Sequence, residues 1–228
     1  MNEKQLVIFD YDGVIVDSID AVTAIAARAC REIGHSRFPH RADIQALENI
    51  AFEDLGRKIG ISEADLPRFG DHVFALLQKN GKTPDIFPGM DRVIRTLAGN
   101  HYLAIVTKNI KPAVEKVLAA HGLAGKISLI LGIEEPGSKA DKIKKAMQIF
   151  NRGPDLTCMI GDAVSDIRQA RQAGVRSIAV TWGYHTREKL AHEGPDIMVS
   201  EPHDITAVIS PDSFGMDTDS ATHMKEHF

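Results

Sequence analysis

The sequence predicts an α/β protein: a doubly wound parallel sheet core with an inserted α-helical cap domain. Three observations predict it. Six short, apolar, β-prone runs are spread along the chain, and helical patterns separate the later ones. A long stretch of purely helical period, from Val14 to about Pro84, interrupts the chain after the first run. Two carboxylates, Asp10 and Asp12, stand at the C-terminal end of that first run, the end at which open α/β sheets bind ligands.

The strands are expected at Leu6–Asp10, Tyr102–Thr107, Ser128–Leu131, Cys158–Gly161, Ser177–Thr181 and Ile197–Ser200. In the inserted block Val22, Ile25, Ala26, Ala29 and Ile33 share one helical face, which ends at Gly34. Leu66, Phe69, Val73, Leu76 and Leu77 share another. Phe87-Pro88-Gly89 marks the return to the sheet. A helix after Lys111 opens on Pro112, packs Val114, Val117 and Leu118, and stops at Gly122. Another carries Val164, Ile167 and Ala170 and stops at Gly174. The division expected is 1–15 and 84–210 for the core, 16–83 for the cap and 211–228 for a polar C-terminal tail. A cap that emerges beside the strand ends is positioned to act as a lid.

The chain of 228 residues is 43% hydrophobic and 25% charged, which suits a globular protein with an ample core. A net charge of −4 gives no footprint for nucleic acid, and no apolar run reaches membrane-spanning length. The first strand begins at once, which leaves no room for a signal peptide. Cys30 lies on the apolar side of a helix and Cys158 inside a strand, so both read as small buried hydrophobes. A reducing, cytoplasmic compartment is expected.

Asp10-Tyr11-Asp12-Gly13-Val14 is the most informative segment. Two carboxylates about 4 Å apart repel by about 4 kcal/mol at an effective dielectric of about 20. A metal ion, a lysine or a bound proton must offset that. An Asp-x-Asp-Gly turn also opens calcium loops, but the twelfth loop position is Ala21, and a buried strand precedes the motif. Thr107-Lys108-Asn109 ends the second strand; a hydroxyl and exposed N–H groups there grip a phosphate oxygen. Lys139 opens the helix after the third strand, so its ammonium reaches across the strand ends. Asp162 ends the fourth strand, and Asp166 lies one helical turn on. Each loop has a plainer reading as a turn or helix cap. Together they bring four carboxylates, a hydroxyl and a cation to one sheet edge, which is a magnesium site beside a phosphate slot.

This combination resembles the haloacid dehalogenase superfamily of phosphatases, from Leu6 to about Pro202. Asp10-Tyr11-Asp12-Gly13-Val14 looks like its first motif, Thr107 its second, Lys139 its third and Gly161-Asp162-x-x-x-Asp166 its fourth. The insert matches members with a helical cap on a Rossmann-like core. Val16-Asp17-Ser18 and Thr181-Trp182-Gly183-Tyr184 look most like phosphoglycolate phosphatases. The chain departs from the usual pattern at Lys139-Ala140-Asp141-Lys142, where Lys-Pro-x-Pro is frequent, at Ala163, where Ser or Thr is frequent, and at Val14, where Thr is frequent.

The resemblance implies a magnesium-dependent phosphatase acting on a small phosphorylated metabolite. Asp10 would be the nucleophile that forms an aspartyl-phosphate, and Asp12 the general acid and base. Asp10, Asp162, the Asp12 backbone carbonyl and Asp166 would hold the metal. Thr107, Lys108, Asn109 and Lys139 would hold phosphoryl oxygens. A β-phosphoglucomutase-like phosphotransferase uses the same core. A phosphoacceptor or binding protein gathers similar groups, but would lack the insert and the acid at Asp12. Arg41, Arg57, Lys58, Lys79 and Lys82 are cap cations that suit a substrate carboxylate. For His35, His40, His72 and His185, surface or structural roles are expected.

Overall fold

The computed structural model describes residues 4–79 and 84–209. Residues 80–83 and the tail 211–228 lie outside them, and so does Lys82. The side chain of Lys79 also lies outside what is described.

The six strands are β1 (Leu6–Phe9), β2 (Tyr102–Val106), β3 (Leu129–Leu131), β4 (Thr157–Gly161), β5 (Arg176–Val180) and β6 (Ile197–Val199). They form one parallel sheet in the order β3-β2-β1-β4-β5-β6. The expected strands are all present, with ends that differ by a residue or two, the normal uncertainty of a strand terminus. Thr107, for example, falls just past β2, yet its N–H still reaches the Leu131 carbonyl at 3.1 Å.

β1 sits between β2 and β4, so the order reverses beside it. The crevice beyond the carboxyl ends at such a point is where an open sheet binds its ligand. Both faces are covered, as a parallel sheet requires. Alternate residues serve opposite faces: Val7 and Phe9 join one apolar cluster, Leu6 and Ile8 the other. The first cluster takes α5 (Met90–Asn100), α6 (Lys111–Ala120) and α10 (Asp204–Val208). The second takes α7 (Lys139–Phe150) and α8 (Val164–Ala173). α9 (Arg187–Glu193) packs Leu190 against Ile167 and Ala179.

The insert after β1 contains α1 (Ile19–Glu32), α2 (Arg41–Gln45), α3 (Phe52–Lys58) and α4 (Leu66–Lys79). Its apolar cluster is separate from both faces of the sheet and is built from Ile25, Ala29, Ile44, Leu55, Phe69 and Val73 among others. The expected helical faces hold, with Val22, Ile33 and Leu77 at the rim rather than the centre. The two chain crossings into the insert are tied together. Asp17 N–H donates to the Asp85 carbonyl at 3.0 Å, and Phe87 N–H donates to the Ile15 carbonyl at 2.9 Å. That pairing joins the two crossings just past the C-terminal end of β1. Cys30 and Cys158 are both buried free thiols. Among the described residues no helix is long and apolar enough to cross a membrane.

Phe69 is fully buried at the centre of the cap cluster. Phe69→Ala is expected to cost about 3–5 kcal/mol in urea denaturation, through lost burial and the cavity left behind. A loss below about 1 kcal/mol would contradict a close-packed cap core.

Candidate active site

The site begins where β1 ends. Asp10 is the first residue past the strand, and its N–H bonds the Ile160 carbonyl of β4 at 2.8 Å. The chain then turns sharply: Ile15 N–H and Val16 N–H both bond the Tyr11 carbonyl, at 2.9 and 3.1 Å. Gly13 makes this possible with φ of +78°. A Cβ there would also lie 2.0 Å from Asp162 Oδ2, so the turn and the β4 loop are in direct backbone-to-carboxylate contact.

Lys139, the first residue of α7, sends its ammonium to Asp10 Oδ2 at 2.8 Å and Asp166 Oδ1 at 2.6 Å. Carboxylate oxygens of Asp10, Asp162 and Asp166 lie within 4.8 Å of one another. Asp10 and Asp166 therefore share one lysine, and Asp162 stands close beside them. Burial pushes the Asp10 carboxyl up to about 6, with Lys139 pulling it down and Asp166 pushing it up. Burial likewise raises Asp162 well above the usual carboxylate range, and Asp166 and Asp10 add to that. Burial opposes the charge on Lys139, but Asp10 and Asp166 outweigh it and hold the ammonium well above the usual lysine value. Among the described residues this cluster has oxygen donors only, and its negative charge exceeds what one lysine neutralises. A hard divalent cation fits it.

Asp12 is placed apart from the cluster. Its Oδ1 accepts from Ser18 Oγ at 2.7 Å and its Oδ2 from Asn109 Nδ2 at 3.1 Å. Burial raises its pKa, while Ser18, Asn109 and Lys139 oppose the rise. The two carboxylates of one turn thus differ in kind, Asp10 against a cation and Asp12 against neutral donors.

Thr107 is buried, and its Oγ1 accepts from Asn109 N–H at 3.0 Å, which folds the loop after β2 toward Asp12. Lys108 follows Thr107 at the strand end, and its Nζ donates to the Ile50 carbonyl of the insert at 3.1 Å, which leaves its backbone N–H as the group facing the expected phosphate slot. Asp162 is not the N-cap of α8, the plainer reading its position allowed. Ala163 takes that place, and Asp166 Oδ2 accepts its N–H at 3.1 Å. Asp166 therefore both caps the helix and pairs with Lys139.

The Thr181-Trp182-Gly183-Tyr184 segment, noted in the sequence only for its resemblance, forms a clamp around Asp162. The loop after β5 delivers Tyr184 N–H to Asp162 Oδ2 at 2.7 Å and His185 N–H to the Asp162 carbonyl at 3.3 Å. A Cβ on Gly183 would lie 2.3 Å from that of Asp162, so only glycine permits this approach. His185 is buried, and its Nδ1 accepts the Val164 N–H at the start of α8 at 3.0 Å. Burial, then Lys189, pulls its pKa down to about 4, so the ring is neutral with its proton on Nε2. Its role is structural, as expected.

Of the cap cations that suit a substrate carboxylate, two are engaged in surface ion pairs, and Lys82 and the Lys79 side chain lie outside what is described. Arg41 pairs with Asp20, and Arg57 pairs with Asp54 and Glu63. Lys58 is exposed. His35 bonds the Ile59 carbonyl, His72 bonds the Arg68 carbonyl, and His40 stands at the N-cap of α2, its N–H donating to Asp43 Oδ2 at 2.9 Å.

A family model described as haloacid dehalogenase-like hydrolase matches residues 7–180. The chain belongs to this family. Among haloacid dehalogenase-like hydrolases it is similar to a phosphoglycolate phosphatase of Synechococcus elongatus, 27% identical over 207 residues, covering 90% of this chain and 97% of that one. A phosphoglycolate phosphatase of Vibrio vulnificus is 29% identical over 212 residues, covering 86% and 92%. The solved structure of a haloacid dehalogenase-like family hydrolase from Streptococcus pneumoniae superposes with a TM-score of 0.81 at 22% identity, covering 92% of this chain and all of that one. At that identity the likeness is one of fold, and it includes the cap.

Asp10 and Asp162 hold protons more tightly in this fold than free carboxylates do. Their contribution to stability therefore falls as pH rises, for Asp10 from the ordinary 3.8 through about 6. Asp162→Asn keeps the oxygen that accepts from Tyr184 and removes one repelling charge. In chelator at pH 7 it is expected to stabilise the protein by about 1 kcal/mol, about 2–4 °C in Tm. A lower Tm would mean that the cluster is not under electrostatic strain.

Proposed function

We propose that this protein is a magnesium-dependent phosphatase that hydrolyses a small phosphorylated acid, of the phosphoglycolate kind, through an aspartyl-phosphate on Asp10. The observation that carries the reading is the unequal treatment of two carboxylates on one turn. Asp10 is paired with Lys139 at 2.8 Å, which favours its ionised, nucleophilic form. Asp12 is held by Ser18 and Asn109, away from the lysine, and burial raises its pKa, which suits a group that gives and takes a proton. The relatives named phosphoglycolate phosphatase support the same reading.

Asp10 attacks phosphorus while Asp12 gives its proton to the leaving oxygen. Asp12 then takes a proton from the water that hydrolyses the aspartyl-phosphate. Thr107, Lys139 and the Lys108 N–H hold the phosphoryl oxygens as charge spreads over them, and Asn109, whose own N–H is given to Thr107 Oγ1, orients that hydroxyl. Asp10, Asp162 and the Asp12 backbone carbonyl would hold magnesium. Asp166, with both oxygens already bonded, would act through water. Magnesium, when bound, supplies the charge that lets a phosphate dianion approach this acidic edge. The division into core (1–15 and 84–210) and cap (16–83) belongs to the same proposal. The cap closes over a small substrate and excludes bulk water. A reducing cytoplasm suits the two buried thiols.

The test is phosphate release from a panel of phosphoglycolate, sugar phosphates, nucleotides and a phosphopeptide, with magnesium or with chelator. Preference for small phosphorylated acids is expected, with activity lost in chelator and restored by magnesium. Preference for the phosphopeptide would sink the closed-cap reading, and full activity in chelator would sink the metal. Asp12→Asn is expected to slow an alkyl phosphate by about a hundredfold or more, and 4-nitrophenyl phosphate much less, since a nitrophenolate leaves without a proton. Equal losses would remove Asp12 as the acid.

A further inference from the structure

We propose that Tyr184 is a positioning residue for Asp12, acting through Ser18. The Tyr184 hydroxyl lies 3.0 Å from Ser18 Oγ, and Ser18 Oγ lies 2.7 Å from Asp12 Oδ1. The direction of the chain follows from chemistry. An ionised carboxylate only accepts, so Ser18 donates to Asp12. Its oxygen is then left to accept, and Tyr184 donates to it. Ser18 has one proton and a freely rotating hydroxyl. Tyr184, donating to the Ser18 oxygen, holds that hydroxyl turned toward Asp12.

The hydroxyl is costly where it sits. Tyr184 and Ser18 are both buried, and a phenylalanine would fill the same space without the penalty of a buried O–H. The bond to Ser18 offsets that penalty and gives the hydroxyl a purpose that packing does not. The ring itself has no freedom to wander. It lies in the apolar cluster of the cap, and its Cδ1 is so close to Gly13 that a Cβ there would approach within 2.9 Å. Its backbone N–H is anchored on Asp162 Oδ2 at 2.7 Å. One residue thus fixes two carboxylates: Asp162 through its main chain and Asp12 through its side chain. With Asn109 on Oδ2, Asp12 has a single orientation, and each oxygen keeps one free position, which carries the proton given to the leaving group and later takes one from water.

A proton is transferred efficiently only from a group already oriented toward its partner. Loss of the Tyr184 hydroxyl should therefore appear where protonation limits the rate. This holds only if Asp12 is the acid and base proposed above.

The experiment compares wild type, Tyr184→Phe, Ser18→Ala, Ser18→Thr and the Ser18→Ala/Tyr184→Phe double variant on phosphoglycolate and on 4-nitrophenyl phosphate. Tyr184→Phe and Ser18→Ala are each expected to lower kcat about tenfold on phosphoglycolate and less than about twofold on the aryl ester, with KM unchanged. The double variant should be no worse than the worse single one, because the two hydroxyls act in series. Ser18→Thr, which keeps the hydroxyl, should restore the rate. Equal losses on both substrates, additive losses, or no loss at all would overturn the proposal. If Asp12→Asn itself fails to separate the two substrates, the acid–base reading falls first. If it separates them and Tyr184→Phe does not, only the role of Tyr184 falls.

Discussion

One lysine shared by buried carboxylates is the constraint from which the rest of the site follows. Lys139 pairs with Asp10 and Asp166 at 2.8 and 2.6 Å, while Asp162 stands beside them and, among the described residues, accepts from the backbone of Tyr184 and His185. Such a cluster is poor material for stability, since the desolvation of several charges outweighs a single pairing. The fold tolerates it at the carboxyl ends of β1 and β4, where a cation and a phosphate can complete the balance of charge. The strain is local, and the apolar faces of the sheet on either side are filled.

Holding like charges together demands a close scaffold. Gly13 and Gly183 bring two backbones against Asp162, and Gly161 does the same for Asp166, whose Cβ would be 2.2 Å from any added one. Side chains at these positions would spread the carboxylates apart. The loop after β5 adds donors from Tyr184 and His185, so a segment that carries no catalytic group of its own sets the shape of the acidic edge. The cap closes the arrangement from above. Lys108, Arg168 and Lys189 reach from the core to Ile50, Glu48 and Leu47 of the insert.

The parts of this design that repeat locally were legible in the sequence. Strand runs such as Leu6-Val7-Ile8-Phe9 and the helical spacing of Leu66, Phe69 and Val73 follow fixed periods. The acids Asp10, Asp12, Asp162 and Asp166 are found because they stand at strand ends, and Lys139 because it opens a helix. What the sequence hid depends on contacts between distant residues. Ser18 and Tyr184 meet across the whole chain, and no spacing relates them. Lys108 follows Thr107 at the strand end, and no local spacing shows that its side chain spans to the cap. Asp166 does double duty because Lys139 approaches from another crossover. His185 looked like any lone histidine until the loop after β5 folded it against α8.

The most direct test is to catch the phosphoryl group on its carboxylate. Enzyme turning over phosphoglycolate with magnesium is quenched with borohydride, which reduces an acyl phosphate to an alcohol, and its peptides are sequenced by mass spectrometry. Homoserine in place of Asp10, absent without substrate and absent from Asp10→Asn, is the predicted result. Steady turnover with Asp10 unmodified, or reduction at another carboxylate, would contradict the account of Asp10 as the nucleophile that this acidic edge is built to serve.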